Sequence, residues 1–224
     1  MATLTSISVA DLAKRIIDGE RDFSDTRLSG DANLGALPSY ADLLAYLRGQ
    51  DLRNSPLIAE RADWSGLSAP GVFFQATKLS GANLSRANLQ GADLRRAELV
   101  EAQLVDADLS GATLVVARLM KANLQGASLR MADFYEANTA EADLRGANAA
   151  GARVIRLSLK DANLSGAVFT GTDLYRADLR GAIGLDQVRD LATARFHQTI
   201  VGDRERSIVL AAMRDGPLFE YRAE

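Results

Sequence analysis

The residues able to carry chemistry are few. The chain holds one histidine, His197, and no cysteine. A lone imidazole does not make a histidine metal cluster, and without thiols there are no disulfides, no Cys-ligated zinc and no thiol catalysis. No Gly-x-x-x-x-Gly-Lys-Ser/Thr loop is present to cradle a phosphate, and the Ca²⁺-binding nonapeptide repeat is not matched. Carboxylates are the abundant group. Asp93, Glu98, Glu101, Asp106 and Asp108 form one cluster, and Asp133, Glu136, Glu141 and Asp143 a second. Their periodic placement marks solvated positions on a regular wall, not a catalytic pair. No catalytic, cofactor or metal residue is assigned, and the chemistry left to the chain is recognition.

The bulk composition agrees. Of 224 residues, 47% are apolar and 25% charged, the balance of a folded protein and not of a disordered tail or a membrane protein. Aromatic residues make up only 6%, with one Trp, which suits a core of stacked Leu and Ala. A formal net charge of −3 argues against a general nucleic-acid binder. The N-terminal residues lack a basic start followed by an apolar run, and no stretch approaches the length of a transmembrane helix. A cytoplasmic protein that neither enters a membrane nor contacts nucleic acid directly is expected.

What must position the surface groups is a repeat with a period of five. From Ala82 each unit carries a small residue, a polar one and a large apolar one: Ala82-Asn83-Leu84, Ala92-Asp93-Leu94, Ala177-Asp178-Leu179. The large positions include Leu84, Leu89, Leu94, Leu104, Leu109, Leu114, Leu124, Leu129, Phe134, Leu164, Phe169 and Leu174, the candidate structural core. Five matches neither the helical nor the strand period. Within a unit, however, Ala and the large residue are two apart and share a face if the segment is extended. A bend after each pair, always to the same side, winds a coil whose interior receives every Ala–Leu pair.

These A-(D/N)-L-x-x units resemble the pentapeptide-repeat family, and the resemblance covers more than half the chain. It implies an all-β solenoid, a right-handed quadrilateral β-helix with four units, or about 20 residues, per coil. Coils would stack at roughly 4.8 Å, and six would make a rod about 30 Å long. Short helical caps are expected at both ends, because open ends expose unpaired backbone and apolar side chains.

The expected organisation is an N-terminal helix with first repeats over 1–36, a helical insertion over 37–61, the repeat rod over 62–184 and a helical tail over 185–224. Ser8 reads as an N-cap, with Leu12, Ile16 and Ile17 on one face and Gly19 as terminator. The insertion around Ser39–Gly49 is either a binding loop or a packed-down cap. The tail reads as two short helices, over 185–195 and 204–215. It is either a cap or, by resemblance to the fluoroquinolone-resistance branch, a homodimer interface, with Ile208, Leu210 and Met213 as candidates.

Two recognition surfaces compete. Some members of the family mimic B-form DNA and bind gyrase, which implies a candidate acidic patch at Asp93, Glu98, Glu101, Asp106 and Asp108. Yet residues 62–184 hold 13 acidic and 13 basic side chains, so the rod as a whole is neutral. The other surface follows from the coil length. Val115, Tyr135, Ile155 and Tyr175, each 20 residues on from the last, would stack on one outer face where polar residues belong. Such a stripe is a partner site, or it is covered by the tail or the insertion. The favoured reading is a non-enzymatic scaffold that binds another protein, with gyrase binding as its rival.

The departures cluster as well. Thr139 and Ala149 replace large inward residues, Leu157 replaces a small one, and all lie within about one coil. That coil should be the weakest of the rod. In a regular coil, Leu124→Ala should cost about 2–5 kcal/mol of stability, read from denaturant unfolding.

Overall fold

The computed structural model describes residues 4–24, 26–213 and 222–223. Its organising feature is a ladder of parallel β-bridges. From Ile58 to Ile183 every fifth residue bridges the residue 20 positions away: Asp63 to Asn83, Asn83 to Gln103, Asn88 to Asp108, Asp93 to Thr113. Four bridging residues per coil define four walls. We number them by their bridging positions: the first wall contains 78, 98 and 118, the second 83, 103 and 123, the third 88, 108 and 128, and the fourth 93, 113 and 133.

The unit of five closes its own hydrogen-bond account. In 82–86 the Ala82 N–H donates to Leu79 O across the preceding corner (3.0 Å), and the Asn83 N–H to Ala62 O in the coil below (2.8 Å). The Leu84 and Arg86 N–H groups donate to Gln103 O (2.7 Å) and Val105 O (2.8 Å) in the coil above. The fifth donor, the Ser85 N–H, is taken by the Asn83 side chain (Oδ1, 3.1 Å). This is the physical reason for Asp or Asn before the large residue. Its carboxylate or amide oxygen caps the one backbone donor that no coil can reach.

The last residue of each unit turns the corner at positive φ. All 25 such positions from Arg61 to Gly181 adopt it, and only 11 are glycine. For the other residue types the left-handed region costs roughly 1–2 kcal/mol each. Hydrogen bonds to the neighbouring coils hold them there.

Inside, the candidate core residues Leu84, Leu94, Leu104, Leu109, Leu114, Leu124, Leu164 and Leu174 are fully buried. Leu89, Leu129, Phe134 and Phe169 are nearly so, and the intervening Ala residues are buried beside them. At the N-terminal end the filling changes to rings. Phe23 and Trp64 lie 6.3 Å apart, and Trp64 and Phe74 6.2 Å. The Trp64 Nε1–H donates to Thr26 Oγ1 at 3.0 Å, so the indole is buried with its polar atom paired.

The same end is closed by strand β1 (Thr5–Ile7), which pairs in parallel with β2 (Thr26–Leu28), and by helix α1 (Val9–Ile17). Ser8 accepts the Asp11 N–H as N-cap, and Leu12 and Ile16 are fully buried. Ile17, read with them from the sequence, is 36% exposed. One residue further along a helix turns about 100° away from the face that Ile16 buries.

The segment after β2 packs down. Helix α2 (Tyr40–Arg48) buries Leu43 and Leu47 and packs on α1. Arg48 lies over the Phe73 ring (4.6 Å), so α2 occupies the place below the fourth wall. The Tyr40 hydroxyl donates to Pro70 O at 2.7 Å, and burial pushes its pKa up to about 12.

At the other end the ladder runs past Gly184. Val168 bridges Arg189, Asp173 bridges Arg195 and Asp178 bridges Ile200. The helix read from the sequence over 185–195 is instead two 3-10 turns, Leu185–Gln187 and Leu191–Thr193. These lengthen the corners of a further coil whose inward residues are Leu185, Leu191 and Phe196. Strand β3 (Ile200–Val201) pairs in parallel with β4 (Arg222–Ala223), and α3 (Asp203–Met213) packs on β3 and both 3-10 turns. No helix among the described residues is long and apolar enough to cross a membrane.

The irregular coil contains a packing defect. Phe134, Thr139, Leu144, Ala149, Val154, Leu157 and Phe169 are among the side chains lining an apolar void of about 20 Å³. The turn bond from the Leu157 N–H to Val154 O stretches to 3.4 Å, against 3.0 Å for Ala87 to Leu84. The Thr139 hydroxyl is paired to Ser158 O (2.8 Å), which leaves the void without a polar partner for water. Leu157→Ala should therefore cost about 2–5 kcal/mol, and Ala149→Leu alone about 1–3 kcal/mol by overpacking against Leu157. The double variant restores the regular pattern and should lose clearly less than the sum in denaturant unfolding. Additive losses would contradict the shared void.

Candidate functional site

With the register known, each surface residue can be placed. Val115, Tyr135, Ile155 and Tyr175 do share one edge, the corner between the fourth and first walls, which we term the fourth corner. The backbone stacks them directly: the Val116 N–H donates to Tyr135 O, Glu136 to Ile155 O and Arg156 to Tyr175 O. All four are half-buried.

The structure adds residues to this edge. The Arg176 N–H donates to His197 O, and the Tyr175 and His197 rings stack at 5.3 Å with planes 12° apart. His197 was invisible as a member because the last coil is longer. It sits 22 residues beyond Tyr175, out of the 20-residue register, and the ladder shift from Asp173 to Arg195 carries it into line. Guanidinium groups cover the rings: Arg153 lies 4.7 Å from the Tyr135 centroid and Arg176 5.2 Å from that of Tyr175. Arg153 also pairs with Asp133 (2.8 Å) and Arg156 with Glu136 (2.6 Å). The Arg156 hydrogen bond, helped by Tyr135, holds the Glu136 carboxyl below its ordinary range.

The acidic cluster is not a patch. Asp93 lies on the fourth wall, Glu98 on the first and Asp108 on the third, while Glu101 and Asp106 occupy two different corners. Residues about five apart in sequence step to successive sides, so the cluster is a ring around the rod. Asp93 is ion-paired to Arg95 at 2.5 Å. The second cluster is dispersed in the same way and paired throughout: Asp133 to Arg153, Glu136 to Arg156, Glu141 to Lys121 and Asp143 to Arg145. The hydrogen-bonded Arg145 guanidinium keeps the Asp143 carboxyl below its usual range despite partial desolvation.

At the C-terminal end, α3 lays Val209, fully buried, and the aliphatic part of Glu205 on the last coil. The Glu205 carboxylate accepts the Gly202 N–H at 2.9 Å. Ile208 is half-buried beside the 181–186 segment, and Leu210 is 37% exposed. The Met213 side chain lies outside the described residues. Val209, the residue that seats the helix, was not singled out from the sequence. Its neighbours Ile208 and Leu210 have the same residue type, and only the packing separates them.

Among the described residues no group of His, Asp and Glu converges as a metal site. One backbone feature marks the fourth corner. Val116 has φ 60° and is 38% exposed, the one β-branched residue among the corner positions at positive φ.

Comparison with known proteins bears on the repeat. The model of the family described as pentapeptide repeats matches eight copies, over residues 77–115, 102–138, 117–154 and 150–183. No curated protein matches significantly. Among solved structures, a pentapeptide repeat protein of the Arabidopsis thaliana thylakoid lumen is 30% identical, over 55% of this chain and 77% of its own, with a TM-score of 0.38. HetL of the cyanobacterium Nostoc, involved in heterocyst differentiation regulation, is 21% identical over 87% of this chain and 97% of its own, with a TM-score of 0.33. QnrB1, a plasmid-mediated fluoroquinolone resistance protein, is 20% identical over 69% of this chain and 86% of its own, also with a TM-score of 0.33.

The strain at Val116 can be measured. Val116→Gly should raise the unfolding free energy by up to about 1 kcal/mol, since glycine adopts this φ without steric cost. A loss of stability would show that side-chain packing outweighs the strain.

Proposed function

The chain belongs to the pentapeptide-repeat family, and from that premise we propose that it is a non-enzymatic interaction scaffold that docks a protein partner along its fourth corner. The rod is read as a right-handed quadrilateral β-helix closed by α1 and α2 at one end and α3 at the other. One observation carries the functional reading. On a rod whose outward positions are otherwise mostly polar, one edge stacks Val115, Tyr135, Ile155 and Tyr175 one coil apart, with His197 joined to them by the 22-residue shift of the last coil. Tyrosine and arginine side by side are the composition of protein-interface anchors. The insertion does not cover this edge: α2 is seated below the fourth wall, against Phe73.

DNA mimicry directed at gyrase asks for a contiguous acidic face. The ring arrangement of Asp93, Glu98, Glu101, Asp106 and Asp108 gives none, so purified chain should leave gyrase supercoiling and its inhibition by quinolone unchanged. The tail is read as a cap and not as a dimer interface, because Val209 is already buried within one chain.

The scaffold reading is tested by affinity capture from the lysate of its own cells, comparing wild type with Tyr135→Ala/Tyr175→Ala. Truncating two anchors should reduce the captured partner roughly tenfold or more, with the circular dichroism spectrum of the rod unchanged. Equal capture by the double variant would remove the fourth corner as the docking surface.

A further inference from the structure

The fourth corner is charged as well as apolar, and its net charge is positive. Its turn positions from Gln75 to Gln198 carry four arginines, Arg95, Arg96, Arg156 and Arg176, against the single acid Glu136. On each of the other three corners, from Glu60 to Gly181, positive and negative residues differ by no more than one. A rod neutral as a whole therefore concentrates its excess cations on the edge that also holds its aromatic stack.

Several of these cations are unspent. Arg95, Arg153 and Arg156 already hold carboxylates. Among the described residues Arg96, Arg118 and Arg195 form no ion pair, and Arg176 is bonded through Nε to Gln198 alone (2.5 Å). Arg118 and Arg195 stand on the walls that flank this corner. Against these four, Glu98 and Asp173 are the unpaired acids of the same strip. Arg176 moreover lies over the Tyr175 ring, with Cζ 5.2 Å from the centroid, a cation–π contact that restrains its side chain. A guanidinium held in this way meets a carboxylate with little further ordering.

Resting on the scaffold reading above, we propose that the partner of this edge is an extended acidic protein segment in which carboxylates alternate with apolar side chains. The apolar residues would lie on Val115, Tyr135, Ile155 and Tyr175, and the carboxylates would reach Arg96, Arg118 and Arg176, on the first-wall side of that stack. From Arg96 to Gln198 the edge spans five coil steps, about 24 Å, which an extended segment of roughly seven residues matches. Period-two alternation in that segment puts its apolar and acidic groups on opposite sides of its backbone, toward the ring stack and toward the first wall.

The test titrates the full chain with fluorescently labelled nine-residue peptides: one alternating Glu with Leu and Phe, and one with Lys in place of each Glu. A single-stranded oligonucleotide of the same net charge as the acidic peptide is the third probe. The acidic peptide should bind, should weaken as salt rises, and should lose about tenfold in affinity in Arg96→Glu/Arg176→Glu. Arg86→Glu/Arg130→Glu, on two other corners, should leave it unchanged. Equal binding of the lysine peptide, binding of the oligonucleotide in place of the acidic peptide, binding of neither, or equal effects of the two Arg pairs would overturn the proposal. Failure here is separable from failure of the scaffold reading. If lysate capture is lost with Tyr135→Ala/Tyr175→Ala but survives Arg96→Glu/Arg176→Glu, the corner stands as a docking surface and the acidic segment falls. If capture ignores the tyrosines, the corner itself falls.

Discussion

Everything in the rod depends on the fifth residue of each unit adopting positive φ. That conformation turns the chain through a corner and aims the same residue's N–H at the coil above, as in Arg86 to Val105. Glycine does this freely, yet most corners use other residues. The strain is tolerated because each corner is held by bonds to its neighbours in a ladder, and no single unit has to hold it alone. The same ladder fixes the rise between coils and hence the volume available inside. Leu–Ala pairs fill most of that volume, with Phe134, Phe169 and Phe196 as the rings further along and Trp64 with Phe23 and Phe74 closing the N-terminal end.

A rigid 20-residue register turns sequence columns into surfaces. Residues one coil apart become neighbours, as with Tyr135 and Ile155, while residues five apart are sent to different sides. This single geometric fact separates the two recognition readings. The apolar stripe, written at intervals of 20, assembles into an edge. The acidic cluster, written at short intervals, is wound into a ring that presents no contiguous acidic face, with Asp93 ion-paired to Arg95. The surface that distinguishes this rod is thus one corner that combines half-buried rings, stacked guanidiniums and unpaired cations.

The repeat was legible in the sequence because its period is strict and its residue types are few. The irregular coil was legible for the same reason, since Thr139, Ala149 and Leu157 break a rule that their neighbours keep, and a void lies where they meet. Legibility failed where the register slips. The 3-10 turns at Leu185–Gln187 and Leu191–Thr193 add residues to two corners, which disguised a further coil as a helix and hid His197 from the stripe. The acidic cluster misled for a different reason. Nearness in sequence is nearness in space along a strand or a helix face but not around a four-sided coil. Val209 could not be told from Ile208 and Leu210 because α3 is apolar on more than one side, and its seat on the last coil decides which side is buried.

The fourth corner exists as a surface only if its residues are vertically adjacent, and the absence of native cysteine makes that directly measurable. With cysteines at 135 and 155, one coil apart, the Cα atoms should lie about 4.8 Å from each other, inside the range that a disulfide bridges. Mild oxidation followed by thiol labelling and mass spectrometry should show the Tyr135→Cys/Ile155→Cys chain closed and a Tyr135→Cys/Arg145→Cys chain with both thiols free. Closure of the 135/145 pair, or two free thiols in the 135/155 pair, would contradict the register on which the corner depends.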